Sequence, residues 1–567
     1  MNSASARKSF RQFVVLAATF AALAQSVPAA TPAAWSPDLG DGTYKNPVIF
    51  ADYSDPDVIR VGGDFYLTAS SFTSAPGLPV LHSTDLVNWT LIGHALARNL
   101  PAARFDTAPK IGGGVWAPAL RFHAGKFYIY YPDPDEGIYV VTATDPAGPW
   151  AAPVMVKAGK GLIDPCPLWD TDGKVWLVHG WANSRSGRNN LLTLLPLNAD
   201  GTAPTGEGKD IILGPTFKVT TLEGPKFYQF NGWYWIFAPV GGVGGGTQAV
   251  FRAKTIDGPY EYRSVLEQGG TPTNGPHQGG LVDTTDGKQC WFVHFQDAGV
   301  YGRITHLEPV NWRDDGWPVM GDAPAATGPG TPVLAHQKPT VGQVADLAPS
   351  SAQNRSPAIP QTSDEFDIPS LGLQWQWAAN PQPAWFSLTA RPGFLRLFPQ
   401  PKLPSFTAQT NLLLQKFPAP EFRVTARLDA AALAPGAQAG LVVWSTPAIT
   451  FSAEKTATGL RVSQIVSGGR GGAGVAAATA DMSGPVGTLA LTITRGPGTG
   501  VKSQAVVQLS YSPDGRLFTN LGSATTISQI AGAWMGAKFG LFAYAPEGNG
   551  KTGPADFDWV HVTAPEK

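Results

Sequence analysis

From about Asn46 to Gly328 the chain repeats one pattern, in which short apolar or aromatic runs come in pairs around tight turns. VIRV and FYLTAS flank Gly62-Gly63-Asp64, and KFYIYY follows His123-Ala124-Gly125. VWLVHGW follows Asp170-Thr171-Asp172-Gly173, WYWIFAPV follows Asn231-Gly232, and CWFVHF follows Asp286-Gly287. Turn residues set between apolar runs in this way predict β-hairpins. Each hairpin is preceded by a polar or proline-containing start: SDPDVI at 54, VWAPAL at 115, IDPCPLW at 163, LEGPKFY at 222 and PHQGGLV at 276. The starts recur at roughly 50 to 60 residues, the period of a propeller blade, and five such units fit the segment. The first strand of a blade lines the central channel, so Asp55, Trp116, Asp164, Glu223 and His277 are expected to converge there. A sandwich would not explain why polar residues always lead the unit.

After Trp312-Arg313-Asp314-Asp315-Gly316-Trp317-Pro318 the rhythm stops. Ala, Pro, Gly, Ser and Gln dominate the next stretch, which reads as a linker over residues 326–360. Strands then resume as LQWQWA, FLRLFPQ, FRVTARL, GLVVWS, LALTITR, AVVQLSYS and FGLFAY, with no amphipathic run of helical length. The expected architecture is all-β. A five-bladed propeller occupies residues 40–325 and a jelly-roll β-sandwich residues 361–567.

Composition adds limits. At 567 residues one core is too few, and 65 Gly with 51 Pro suit many short strands joined by turns. Charged residues are 15% and the formal net charge is -1, which gives no reason to expect nucleic acid or an anionic membrane as partner. Residues 1–30 read as a signal peptide: Arg7, Lys8 and Arg11, an apolar run from Phe13 to Ala24, then Val27-Pro28-Ala29-Ala30. The run is short for a membrane span, and the mature protein is expected to be exported and to begin near Thr31. Cys166 and Cys290 are too few for a disulfide framework and are expected to be buried free thiols.

The converging carboxylates carry the chemistry. Hydrolysis of a glycosidic bond needs an acid to protonate the leaving oxygen and a carboxylate to activate water or attack carbon. Glu223 has the longest reach and reads as the acid, Asp55 as the base, and Asp164 as the neighbour that raises the pKa of Glu223. Phe72, Trp116, Trp181 and Trp233 are candidates for stacking against a sugar ring. Asp57, Asp64 and the Asp170-Thr171-Asp172-Gly173 cluster read as turn formers.

These residues resemble glycoside hydrolase family 43. Asn46-Pro47 leading to Asp55-Pro56-Asp57 and Arg60-Val61-Gly62 is similar to the family's base motif, Asp164-Pro165-Cys166 to that of its pKa-modulating Asp, and Glu223-Gly224-Pro225 to that of its acid. The V-W-A-P strand, Pro276-His277 and Gly302-Arg303 match as well, although Gly275-Pro276-His277 departs from the family's plain Gly-His. The resemblance implies an inverting exo-hydrolase that releases terminal α-L-arabinofuranose or β-D-xylose from plant hemicellulose. It places Arg303 near the acid and the sugar, and His277 beneath the site against a central water or a cation, often Ca²⁺. No cofactor is required, and no multi-carboxylate metal site is visible in the spacing. Ser363-Asp364-Glu365-Phe366, L-G-L-Q-W-Q-W and Phe557-Asp558-Trp559 resemble the concanavalin-like domain of family xylosidases and arabinofuranosidases. In those proteins the sandwich packs on the propeller and narrows the mouth, which implies exo action. Tyr301-Gly302-Arg303, running on to Leu307-Glu308-Pro309, looks closer to the arabinofuranosidase branch, with β-xylosidase as the alternative. A propeller that only binds glycans is a second class left open, and a fructan-active propeller enzyme that retains configuration through a nucleophilic Asp is a third.

Overall fold

The computed structural model describes residues 34–565 except 325–326, 342–361, 404–407, 469–473, 531 and 546–552. The expected leader and most of the expected linker lie outside the described residues. Residues 33–567 form one compact unit.

Five four-stranded antiparallel sheets succeed one another as blades. Blade I holds Asp57–Val61, Asp64–Thr68, Gly77–Ser83 and Thr90–Leu96. Blade II holds Ala119–His123, Lys126–Asp133, Gly137–Ala143 and Val154–Ala158, and blade III holds Leu162–Trp169, Val175–Trp181, Leu191–Leu197 and Lys209–Leu213. Blade IV holds Lys226–Phe230, Trp233–Val240, Thr247–Ala253 and Glu261–Leu266. Blade V holds His277–Asp283, Cys290–Asp297, Arg303–Trp312 and Pro318–Met320.

The second strands are apolar almost throughout because both faces are covered. Phe65 and Leu67 pack toward blade V, while Tyr66 between them packs toward blade II. Val175 and Leu177 face blade II, while Val178 faces blade IV. Successive side chains of a strand point to opposite faces, so each blade contributes to two wedge-shaped cores.

The ring is tied by its N-terminal segment. Thr43–Lys45 pairs with Ala335–Gln337, Ile49 bridges Thr305, and Asn46 donates to the carbonyls of Leu307 and Val333 while accepting from Leu307 N–H. Part of the expected linker is therefore propeller. A three-residue pairing needs no sustained apolar period, which is why the pattern did not reveal it.

The second body is a sandwich of an eight-stranded and a seven-stranded sheet. Leu441, Val443, Leu541 and Ala543 of the larger sheet face the inner core. Their neighbours Val442, Trp444, Phe542 and Tyr544 face the propeller and pack in one cluster with Phe72 and Trp116. Backbone bonds cross the junction between Ala75 and Trp377, and Lys538 Nζ donates to Ser74 Oγ at 2.6 Å. Among the described residues no helix is long and apolar enough to cross a membrane.

Candidate active site

The three acidic strand starts are aimed by backbone distortion. Asp55, ahead of Pro56, has φ +55°. Asp164 has φ +54° and sits in a bulge where Leu162–Trp169 loses register with its neighbour between Ile163 and Cys166. A bulge re-aims a side chain, and the left-handed backbone at both aspartates turns them off the direction an extended strand would give. Gly224, beside Glu223, has φ +58°, and a Cβ there would lie 2.6 Å from Gln278 Cδ, so glycine is needed on two counts. A second bulge follows His277, with Gln278 at φ +41° as the extra residue.

Asp55 is buried and its two oxygens receive three donors. Ser54 and Ser70 hydroxyls donate to Oδ2, each at 2.6 Å, and Arg303 Nη1 donates to Oδ1 at 2.6 Å. Arg303 is buried and lies over the Phe295 ring at 4.6 Å. Asp164 Oδ2 accepts Gly224 N–H at 2.8 Å. Burial pushes the Asp164 carboxyl up to about 8, with the charges of Glu223 and then Asp55 adding to the effect against the Gly224 bond. Glu223 Oε1 lies 3.0 Å from Nε2 of the buried His277.

Asp55, Asp164 and Glu223 open into a cavity of about 790 Å³, walled by Phe72, Trp116, Trp181 and Trp534 and reached by Gln278 and Arg303. That volume accommodates a small saccharide. A separate recess of about 50 Å³ at the domain junction, beside Tyr53, His94 and Lys416, is too small for a sugar ring.

The structure brings together Asp55, Asp164, Glu223, Trp116, Phe72, Trp181 and Arg303. His277 lies behind the cavity wall, holding Glu223 rather than facing the space. Trp233 is a correction. It directly follows a hairpin turn, at the blade end opposite the strand starts, and lies under Arg252 and Lys254 instead of in the cavity. Asp57 is also more than a turn former: it is fully buried and accepts Arg121 Nη1 at 2.7 Å and Leu120 N–H at 2.8 Å. Asp64 pairs with His82 at 2.7 Å. Cys166 is buried, but Cys290, next to a rim turn, is only half-buried.

Two contributors had no sequence signal. Gln278 holds a buried Nε2 without a protein partner at the cavity, and a bulge of this kind cannot be read from Pro276-His277-Gln278. Trp534 arrives from the sandwich, with its ring 5.5 Å from the Arg303 guanidinium and 47% of its surface exposed, free to meet a ligand.

His277 is the residue beside which the resemblance placed a cation. Its Nδ1 is buried without a partner, and one imidazole nitrogen is a poor start for a cation that takes six to eight oxygens. Among the described residues, the one group of His, Cys, Asp and Glu side chains close enough to share an ion is His294, His306 and Glu308 in blade V. There His294 Nε2 meets Glu308 Oε1 at 3.1 Å, and Glu308 Oε2 accepts Val333 N–H, so the carboxylate fastens the ring closure.

A saccharide-sized cavity with three convergent carboxylates on a propeller defines a glycoside hydrolase. The chain belongs to glycosyl hydrolases family 43, whose model matches residues 44–318, followed by a match to the beta-xylosidase C-terminal concanavalin A-like domain over residues 363–563. It is 43% identical to a provisionally named beta-xylosidase of Xylanibacter ruminicola over 67% of each chain. It is 31% identical to a non-reducing end alpha-L-arabinofuranosidase of Bacteroides ovatus, over 92% of this chain and 95% of that one. The crystal structure of the family 43 protein BlXynB from Bacillus licheniformis superposes with a TM-score of 0.75 at 27% identity, covering 92% of this chain and 100% of the other. Chemistry in this family generally needs no cofactor.

Proposed function

We propose that the protein is an exported, inverting exo-glycosidase that removes terminal α-L-arabinofuranose from hemicellulose-derived oligosaccharides. The observation that carries this reading is the convergence of Asp55, Asp164 and Glu223 on one cavity, to which the sandwich adds Trp534. Glu223, oriented by His277, donates a proton to the leaving oxygen. Asp55, held by Ser54, Ser70 and Arg303, takes a proton from the attacking water. Burial and the charge of Glu223 push the Asp164 carboxyl up to about 8, which supports Asp164 as a proton-holding neighbour beside the acid. Export follows from the reading of residues 1–30 as a leader, and suits an enzyme whose polymer lies outside the cell.

β-D-Xylose is the second reading, favoured by the 43% identical relative, whereas the arabinofuranosidase relative matches along nearly its whole length. Aryl α-L-arabinofuranoside and aryl β-D-xyloside, hydrolysed side by side and followed by proton NMR, test all of this. The first-formed sugar is expected with its anomeric configuration inverted. A kcat/KM ratio of about tenfold, or about 1.4 kcal/mol of transition-state discrimination, identifies the sugar. Retention would overturn the mechanism. No turnover by folded protein would favour a glycan-binding propeller.

A further inference from the structure

The active-site cavity does not end at its carboxylates. A second recess of about 400 Å³ continues from it and shares Asn189, Asn190 and Thr221. Thr221 stands two residues before Glu223, so the recess begins on the side of the group read as the proton donor. Its other lining residues are Leu191, Leu213, Pro215, Thr216 and Thr220.

The recess is a built feature. Asn190 has φ +56°, its Oδ1 accepts Leu222 N–H at 2.9 Å and its Nδ2 donates to Val219 O at 2.9 Å. One amide therefore fixes the wall of the recess to the strand start that carries Glu223. Gly214 N–H donates to Asn190 O, and a Cβ on Gly214 would overlap the Asn190 amide at 2.2 Å. Leu213 remains 46% exposed, an apolar surface beside amide and hydroxyl groups. Sugars present this combination of an apolar face and neutral hydroxyls. No Asp, Glu, Lys or Arg lines the recess, so nothing there selects a charged substituent.

We propose that this recess binds the leaving-group portion of the substrate, an uncharged oligosaccharide extending beyond the scissile bond. The proposal rests on Glu223 being the acid, because the leaving oxygen must lie at the acid and its chain must depart from there. The recess then gives the enzyme a preference for longer chains although only the terminal sugar is removed.

The test compares oligosaccharides of two, three and four sugars, ending in whichever sugar the aryl glycosides identify, in the full chain and in Thr216→Trp and Thr220→Trp. For the unsubstituted protein kcat/KM is expected to rise at least about fivefold from two sugars to four, chiefly through KM. The tryptophan variants are expected to flatten that rise, reducing the ratio of tetrasaccharide to aryl-glycoside kcat/KM by about the same factor. Equal kcat/KM for all three lengths in the unsubstituted protein would overturn the proposal. So would variants that lose aryl-glycoside and tetrasaccharide activity in equal proportion. Failure of the underlying functional reading would appear differently, as no turnover of any aryl glycoside.

Discussion

Asp164 occupies a position where ionisation is costly, since it is buried in a bulge facing Glu223. Its native carboxyl titrates at about 8 against an ordinary value of 3.8. Below pH 3.8 the native and unfolded chains both hold the proton. Between 3.8 and about 8 only the native protein holds it, so stability falls as pH rises through that window. Asp164→Asn keeps a carbonyl for Gly224 N–H and removes the charge. Its Tm is expected to fall less than that of the unsubstituted protein between pH 5 and pH 8, while the alkaline limb of kcat/KM moves to lower pH. Thermal scans at both pH values and a pH–rate profile check this; an unmoved alkaline limb would exclude Asp164 from the proton-holding pair. At this scale the carboxylates were legible because acidic residues lead strands whose interiors are apolar. Trp233 misled because residue type reveals aromaticity, whereas the end of the blade it occupies depends on its distance from the turn. Gln278 stayed hidden because a bulge changes direction without changing composition.

At the scale of elements, hairpins were legible for a reason the fold makes plain: a strand covered on both faces writes a continuous apolar run, and the turn residues mark its end. The segment carrying Trp534 has no such signature, and its position depends on a distant carboxylate. Asp52 Oδ1 accepts Arg303 N–H at 2.9 Å and Oδ2 accepts Gly536 N–H at 3.0 Å. Gly302 lies so close that a Cβ there would sit 2.4 Å from Asp52 Cγ. One buried side chain thus joins the arginine that grips Asp55 to the sandwich loop that brings Trp534 to the cavity. In Asp52→Asn one of the two amides must face an NH₂ group, at a cost of about 1–3 kcal/mol. Steady-state kinetics are expected to show KM for aryl glycosides raised about tenfold, with quenching of Trp534 fluorescence by bound sugar diminished. A lowered Tm with unchanged KM and quenching would mean that Asp52 serves only stability.

For the whole molecule, two bodies were legible in the break of rhythm after Pro318, and their docking was expected only through the family resemblance. The propeller-facing side of the larger sheet explains why sequence pattern alone was mute: Val442, Trp444, Phe542 and Tyr544 alternate with core residues as if the sheet were buried on both sides. The runs containing them therefore look like any interior strand, and nothing in them says which partner covers the second face. The site is completed only when both bodies are present, because the propeller supplies the carboxylates and most of the wall while the sandwich adds Gly532, Ala533 and Trp534.

The two cysteines, unimportant to the chemistry, make the propeller its own recorder of motion. Cys166 Sγ is buried, receives Phe227 N–H of blade IV at 3.1 Å and Arg121 Nη2 of blade II at 2.8 Å, and its thiol is raised by burial. A reagent can reach it only when those blades part, whereas Cys290 is half-exposed at a rim. Reaction with an aromatic disulfide is expected to modify Cys290 first and Cys166 at a slower rate set by blade separation, with mass spectrometry distinguishing the two. Sugar in the cavity should slow the second event and leave the first unchanged; equal rates in the native protein would mean that the ring breathes freely around its centre. Such labelling would time the opening of the ring without any added probe.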